Sequence, residues 1–289
     1  MDKEQYKQRL HTLVVQLKSQ EEKELLDYLL SELSTMPIGA EKIEQIYEYC
    51  IEKNARCQAE QFYLGFPIRE IIPSLVNDFV RMEMFRRRDN FGDFCLALYQ
   101  QIEGITNQLC INRTLDEIVG NMWEESAYIS IYDDISKQAI SPKISVREKV
   151  KKKKYSIADL IFPGKNRDTK TPYAVEKAKK PLQNQFANDK MRIIVYYFEY
   201  SAMLKNSDYE SYNKFTSSLN DIYQCRNWNH RGSKLTEWEQ AIFDRIELNR
   251  TYYYLHFLGT LARYVRSVIT GYPKLGEILQ YAKNNSNRV

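Results

Sequence analysis

The chain has 289 residues, 43% hydrophobic and 28% charged, which is enough apolar material to bury one large core or two smaller ones. Only 10 glycines and 8 prolines are present, which argues against an all-β sandwich or barrel with frequent tight turns. The net charge of +4 does not by itself indicate a nucleic-acid partner. Without an apolar run of about 18 residues or a secretory signal, the sequence predicts a cytoplasmic protein with no membrane span.

Five cysteines are scattered through the chain, with no Cys-x-x-Cys pair and no histidine at zinc-ligand spacing from them. We therefore expect reduced thiols and no metal site. The sequence also lacks a glycine-rich phosphate loop, so we expect neither a nucleotide-driven enzyme nor a bound cofactor.

The first third of the chain has helical periodicity. Apolar residues recur at helical spacing from Gln5 to Leu33, and a second helix is predicted over residues 41–62. These elements predict an N-terminal helical module over residues 1–64. A third helix is expected from about Arg69 to Arg88, although Pro73 places its true start in doubt.

A fourth helix is predicted over the stretch "FGDFCLALYQQIEGITNQLC". Asp89 or Asn90 is its expected N-cap, because a short side-chain oxygen there accepts from the first free backbone N–H groups. The third and fourth helices together predict a helical hairpin.

The pattern changes between about residues 112 and 185. This stretch contains the turn-rich segments "SPK", "FPGKN" and "TKTPY", a basic run "REKVKKKKY", and poor periodicity throughout. We predict an insertion over 112–185 that is partly irregular and carries a basic loop.

Helical periodicity returns near Asn188, and helices are predicted from about Tyr209 to Arg231 and from Thr236 to about Thr270. The stretch "TEWE" has the Thr-x-x-Glu form of a capping box at the start of the last helix. Residues 273–289 are expected to form a C-terminal tail that frays. The predicted fold class is all-α.

The helix from Tyr209 carries an apolar stripe at alternating spacings of three and four residues, at Tyr212, Phe215, Leu219 and Ile222. The next position on this stripe is Arg226, and His230 follows one turn later. Because burying an unpaired guanidinium costs several kcal/mol, we expect the stripe to lead into a cleft or a subunit boundary.

The motif Arg226-Asn227-x-x-His230, at the end of the penultimate helix of a predicted all-α bundle, resembles that of the HEPN superfamily. Members include ribonucleases of CRISPR-ancillary, abortive-infection and toxin–antitoxin systems. The family usually has four to six residues between Arg and His, and this chain has three. The resemblance implies a HEPN-like helical bundle over 65–111 and 186–272. Glu103 corresponds to an acidic residue that faces the Arg–His helix in many members.

The resemblance implies a metal-independent endoribonuclease that acts as an antiviral defence, toxin or stress effector. It also implies a symmetric homodimer in which two motifs meet, with a neutralising or activating partner protein. His230 has the pKa range for proton transfer, and Arg226 suits the charged phosphate. Asn227 would fix the imidazole or donate to the phosphate, and Glu103 would act as an acid or pair with a cation such as Arg226. The products would carry 2′,3′-cyclic phosphate and 5′-hydroxyl ends.

Two basic clusters are candidate RNA-backbone contacts or ordinary solvated charges: Lys151, Lys152, Lys153 and Lys154 in the insertion, and Arg86, Arg87 and Arg88. Of the other histidines, His11 is expected at the surface, and His256 is expected to be a core histidine with its hydrogen bonds satisfied. The alternative to an enzyme is a non-catalytic helical module that binds RNA or acts as an adaptor for another protein.

Overall fold

The computed structural model describes residues 3–17, 27–28, 31, 40–121, 126–132, 150–156, 161, 180–200, 209–231 and 235–286. Over these residues the protein is predominantly helical, as the sequence predicts. None of the helices in these ranges combines the length and the apolar character needed to cross a membrane.

The helices and strands follow in chain order. They are α1 (Lys3–Leu17), α2 (Ala40–Phe62), α3 (Ile72–Arg87), α4 (Phe91–Cys110), α5 (Arg113–Asn121), β1 (Ser126–Tyr132), β2 (Val150–Ser156), α6 (Ala187–Val195), α7 (Tyr209–Arg231), α8 (Glu237–Leu248), α9 (Arg250–Gly271) and α10 (Leu275–Ser286). One π-helical turn, Tyr196–Tyr200, continues α6, and short 3₁₀ turns occupy Arg69–Ile71, Leu182–Asn184 and Tyr272–Lys274.

The chain divides into two compact units. Unit 1 contains Met1–Leu64 and Glu70–Leu98, and unit 2 contains Gly65–Arg69 and Tyr99–Val289. This division differs from the predicted N-terminal module at residues 1–64, because α3 and the first part of α4 also belong to unit 1.

Aromatic packing explains why α3 belongs with the N-terminal helices. The ring centroids of Phe62 on α2 and Phe79 on α3 are 5.0 Å apart, and Tyr63 packs edge-on against both rings. Burying rings of this size supplies much of the free energy that holds a small helical unit together. Asn90 caps α4 as predicted, since its side-chain oxygen accepts from the backbone N–H of Asp93 at 3.2 Å.

Helix α9 is the central helix of unit 2. Its Tyr264, which is fully buried, shares a 2.8 Å hydrogen bond between hydroxyls with Thr106 on α4. Arg263, the residue before Tyr264, donates to Glu199 in the π-helical turn. One turn earlier, Thr260 contacts Ser218 on α7. These bonds join α9 to three neighbouring elements of the same unit.

The predicted capping box at the start of α8 is confirmed. The Thr236 side chain accepts from the backbone N–H of Glu239, and the Glu239 carboxylate accepts from the backbone N–H of Thr236. The single long helix expected from Thr236 to Thr270 is instead two helices that meet at Asn249. The Asn249 side-chain amide donates to the carbonyl of Arg245 at 2.9 Å, and such side-chain bonds to the backbone compete with a continuous helix.

The insertion holds a two-stranded antiparallel sheet that the sequence analysis did not predict. The register pairs Ser126 with Ser156 and Tyr132 with Val150. Strand β1 reads "SAYISIY", a run of β-branched and aromatic residues with the composition of a strand. The lysine run therefore lies on β2 and not in a loop.

The C-terminal segment expected as a fraying tail is helix α10 over most of its length. Leu275 and Ile278 on this helix are buried, and Lys283 pairs with Glu117 on α5 at 2.6 Å. Leu275 is three residues before Ile278 and four before Leu279, which is helical spacing that the polar residues after them obscure.

Two glycines of α9 form a matched pair for testing this packing. A Cβ at Gly271 would lie 2.5 Å from the Phe198 Cβ and 2.8 Å from the Phe198 Cα, whereas one at Gly259 would meet nothing within 4 Å. We predict that Gly271→Ala lowers the free energy of unfolding by about 1–3 kcal/mol through overpacking against the π-helical turn. Gly259→Ala should raise it by about 0.5–1 kcal/mol, because alanine favours helix.

Urea unfolding followed by circular dichroism measures both effects. Equal shifts of the two midpoints would contradict the close approach of α9 to Phe198.

Candidate functional site at the end of helix α7

The apolar stripe of α7 is buried inside unit 2. Tyr212 packs edge-on against the rings of Tyr196 and Tyr200, with centroids 6.2 Å and 5.3 Å away. Phe215 lies under the Arg263 guanidinium, whose Cζ is 4.3 Å from the ring centroid. The chain itself covers these residues, so this part of the stripe belongs to the core of unit 2.

Arg226 follows this stripe and is half-buried. Its Nη1 donates to the Asn227 side-chain oxygen at 3.1 Å, and its Cζ lies over the Tyr99 ring, 5.4 Å from the centroid. Its Nε is buried and has no hydrogen-bond partner within the described part of the chain. The bond from Nη1 is the one hydrogen bond between this guanidinium and the described residues, so its side-on edge, formed by Nε and Nη2, has no acceptor among them.

Two other half-buried arginines, Arg86 and Arg263, have carboxylate partners. Arg86 directs its Nε and Nη2 at the Glu83 carboxylate, at 2.9 Å and 2.8 Å. Arg263 uses the same two nitrogens on the Glu199 carboxylate. In both, a carboxylate fills the edge that is suited to bidentate binding and neutralises the charge.

Asn227 is the polar partner of Arg226 and differs from those carboxylates in carrying no charge. It is only 4% exposed, and its orientation follows from chemistry, since a guanidinium can only donate and the Asn227 oxygen must face it. The pair therefore keeps a net positive charge. A cation whose bidentate edge lacks a described acceptor has the geometry to pair with an anion that offers two oxygens, such as a phosphate or a carboxylate.

Arg192 on α6 is the nearest parallel, because its Nε is also buried without a partner among the described residues. Its Nη1 donates to the backbone carbonyl of Ile161 at 3.3 Å. Arg226 differs in being held by an aromatic ring and a side-chain amide.

Glu103 lies close to this site without pairing with Arg226. Within the described residues, no ion pair of 4.0 Å or less joins the two. Burial raises the pKa of the Tyr99 hydroxyl, the Glu103 charge raises it further, and the Arg226 charge lowers it. Arg226 thus lies over Tyr99, Glu103 is near enough to affect the Tyr99 pKa, and Asn227 is linked to Tyr99 through Arg226. The sequence analysis did not single out Tyr99.

His230 lies on α7, but its side chain is outside the described residues. The next helix, α8, lies alongside α7. Trp228 packs edge-on against Phe243 on α8 with ring centroids 5.3 Å apart, and Arg245 pairs with Asp221 at 3.3 Å.

The arginine cluster on α3 is engaged in ion pairs within unit 1. Glu83, only 4% exposed, pairs with both Arg86 and Arg87, and Arg88 pairs with Glu48 at 3.1 Å. These contacts give the three arginines a structural role that the RNA-binding prediction did not include. For Lys151, Lys152, Lys153 and Lys154 the structure describes only the backbone on β2.

The sequence analysis missed the polar cluster around Arg263. Besides Glu199, the Arg263 Nη2 donates to the Tyr200 hydroxyl at 2.6 Å and to Ser211 at 3.1 Å. A glutamate inside the apolar run "IIVYYFEY" was the available signal, since a charge at such a position needs an opposite charge nearby. Nothing in the sequence indicates that this partner is Arg263.

His256 on α9 lies half-buried, with its Nε2 2.7 Å from the Ser218 hydroxyl and Tyr252 stacked on its ring. The proton of Thr260 is used on the His256 carbonyl at 2.9 Å, so Thr260 accepts from Ser218. The single Ser218 proton is then used as well, and His256 must donate from Nε2. An imidazole that donates to a serine does not activate it as a nucleophile, so this cluster joins α7 to α9.

Stability should depend on pH through His256, because burial lowers the pKa of this imidazole in the folded protein. The unfolded chain then binds the proton more readily, so stability falls as the pH drops below about 6.5 and is unaffected above it. Melting temperatures from pH 7.5 down to about 5.5 should fall more for wild type than for His256→Gln, whose amide can still donate to Ser218.

All other groups are common to the two proteins and cancel in this difference. The same pH dependence in both would show that His256 does not titrate in this way.

Comparisons with protein-family models, curated proteins and solved structures find no match for this chain. Within the described residues, no three His, Cys, Asp or Glu side chains form a group that could hold a metal ion.

Proposed function

We propose that this protein is a metal-independent endoribonuclease of the HEPN type. The observation that carries the proposal is the side-on edge of Arg226, whose Nε has no described hydrogen-bond partner, on a guanidinium held by a neutral amide on the helix that bears His230. In the transition state that leads to a 2′,3′-cyclic product, the phosphodiester gains negative charge on its non-bridging oxygens. A fixed guanidinium edge stabilises that charge.

The residues have separate tasks in this proposal. Arg226 holds the phosphate, and His230 exchanges a proton with the ribose 2′-hydroxyl or the leaving 5′-oxygen. Asn227 holds Arg226 by its side-chain oxygen, a role different from fixing the imidazole or binding phosphate directly. Glu103 is near enough to Tyr99 to affect its pKa, so its charge contributes to the local field.

The alternative function is a helical RNA-binding or adaptor module that uses the same arginine without cleaving. It shares the Arg226 edge that lacks a described acceptor but needs no proton transfer. Cleavage and binding must therefore be measured separately. The proposal also includes a homodimer, a cytoplasmic location, a neutralising or activating partner protein and a defence role.

The first test is cleavage of single-stranded RNA in the presence of EDTA. Arg226→Gln and His230→Ala should each lower the rate by at least ~100-fold, because they remove the phosphate contact and a proton-transfer group. Arg250→Gln is the matched control, since it removes an ordinary arginine paired with Glu247 at 3.2 Å and should leave the rate unchanged.

End mapping decides the chemistry. Products with 5′-phosphates, or cleavage that EDTA abolishes, would contradict the mechanism. RNA binding that needs Arg226, without any cleavage, would favour the binding module.

The second test changes the charge beside Arg226 at nearly constant shape. Asn227→Asp should form an ion pair with Arg226 and weaken RNA binding by about tenfold or more, because it neutralises the cation. Asn227→Ala removes the hydrogen bond but keeps the positive charge, so it should bind RNA better than Asn227→Asp. The reverse order would show that the shape of residue 227 matters and its neutrality does not. Melting temperatures confirm that both variants fold.

A further inference from the structure

We infer that Tyr99 is a positioning residue that acts through Arg226, an inference that rests on the proposed function of the same site. Tyr99 is 1% exposed and cannot offer its ring to a ligand. Its ring has the Arg226 Cζ over it at 5.4 Å and the Tyr223 ring beside it at 5.5 Å. A cation within about 6 Å of a ring centroid is attracted by the negative face of the ring.

The ring and the amide fix different parts of the guanidinium. Tyr99 belongs to α4, and its ring fixes the position of the Arg226 guanidinium above α4. Asn227 accepts from Nη1 and so determines which edge of the guanidinium is left without a described partner. Together they leave Nε and Nη2 as the edge without a described partner. Neither contact adds a negative charge.

This arrangement solves a specific problem of anion binding by arginine. A carboxylate partner fixes a guanidinium well, as Glu199 fixes Arg263, but it neutralises the charge and occupies the bidentate edge. A flexible arginine keeps its charge but loses side-chain entropy when the anion binds. An aromatic ring fixes the cation in advance and leaves its net charge intact, which lowers the cost of binding.

The test weakens the negative electrostatic potential on the face of the ring at position 99 while keeping the shape of the ring nearly constant. Phenylalanine and its mono-, di- and trifluorinated forms are placed at position 99, and binding of a fluorescent 2′-O-methyl RNA, which cannot be cleaved through its 2′-oxygen, is measured in EDTA. Affinity should stay near wild type for Tyr99→Phe and fall stepwise with fluorination, by about fivefold in total. In an Arg226→Gln background the same series should be flat, because the cation is gone.

The outcomes separate this inference from the proposed function. A flat series in the wild-type background, or equal losses in both backgrounds, overturns the positioning role while RNA cleavage and the role of Arg226 stand. If wild type and the Arg226→Gln variant do not differ in RNA binding, the phosphate role of Arg226 fails and the positioning role fails with it. Tyr99→Leu removes the ring altogether and should also weaken RNA binding. If that variant fails to fold, the fluorinated series still tests the positioning role, because it keeps the volume of the ring nearly constant.

Discussion

A permanent charge on a buried helix face is the constraint on which the candidate site depends. Arg226 is the next position on the buried stripe formed by Tyr212, Phe215, Leu219 and Ile222. Because arginine keeps its proton inside proteins, the free-energy cost of burying its charge remains. The protein can meet that cost with a carboxylate, with neutral contacts or with a ligand. Arg263 and Arg86 use carboxylates, whereas Arg226 has a neutral amide and an aromatic ring.

This difference separates structural arginines from a candidate ligand-binding one more sharply than exposure does, since all three are half-buried. An arginine whose bidentate edge is filled by a carboxylate must break that pair before it can bind another anion. Arg226 has no such competitor among the described residues. The chemistry of the partner decides the role, and the partner is visible only in three dimensions.

Local signals in the sequence predicted local structure well. The bounds of α7, the capping box at Thr236 and the N-cap at Asn90 depend on residues close together in the chain, and the structure has all three. The break at Asn249 and the strand β2 were missed. The break depends on a hydrogen bond from the Asn249 side chain to the backbone. Strand β2 depends on pairing with β1, which a run of lysines does not predict.

The site was predictable only in part, for a related reason. Arg226, Asn227 and His230 lie within five residues of one another in the sequence, whereas Tyr99 lies 127 residues before Arg226 and is one of 22 tyrosines. No spacing rule connects such a pair. The same holds for Glu199 and Arg263, whose bond exists because α9 packs on the π-helical turn.

The short gap between Arg226 and His230 has a simple consequence in a continuous helix. Helix α7 extends to Arg231, so the backbone of residue 230 lies one turn beyond that of residue 226, on the same face and with a rise of about 6 Å. A gap of four or five residues would place the histidine on another face of a regular helix. Both the attacking 2′-oxygen and the leaving 5′-oxygen of RNA are held close to one phosphorus atom. In the proposed reaction, a guanidinium and an imidazole carried one turn apart would therefore address one phosphodiester together, with three residues between them.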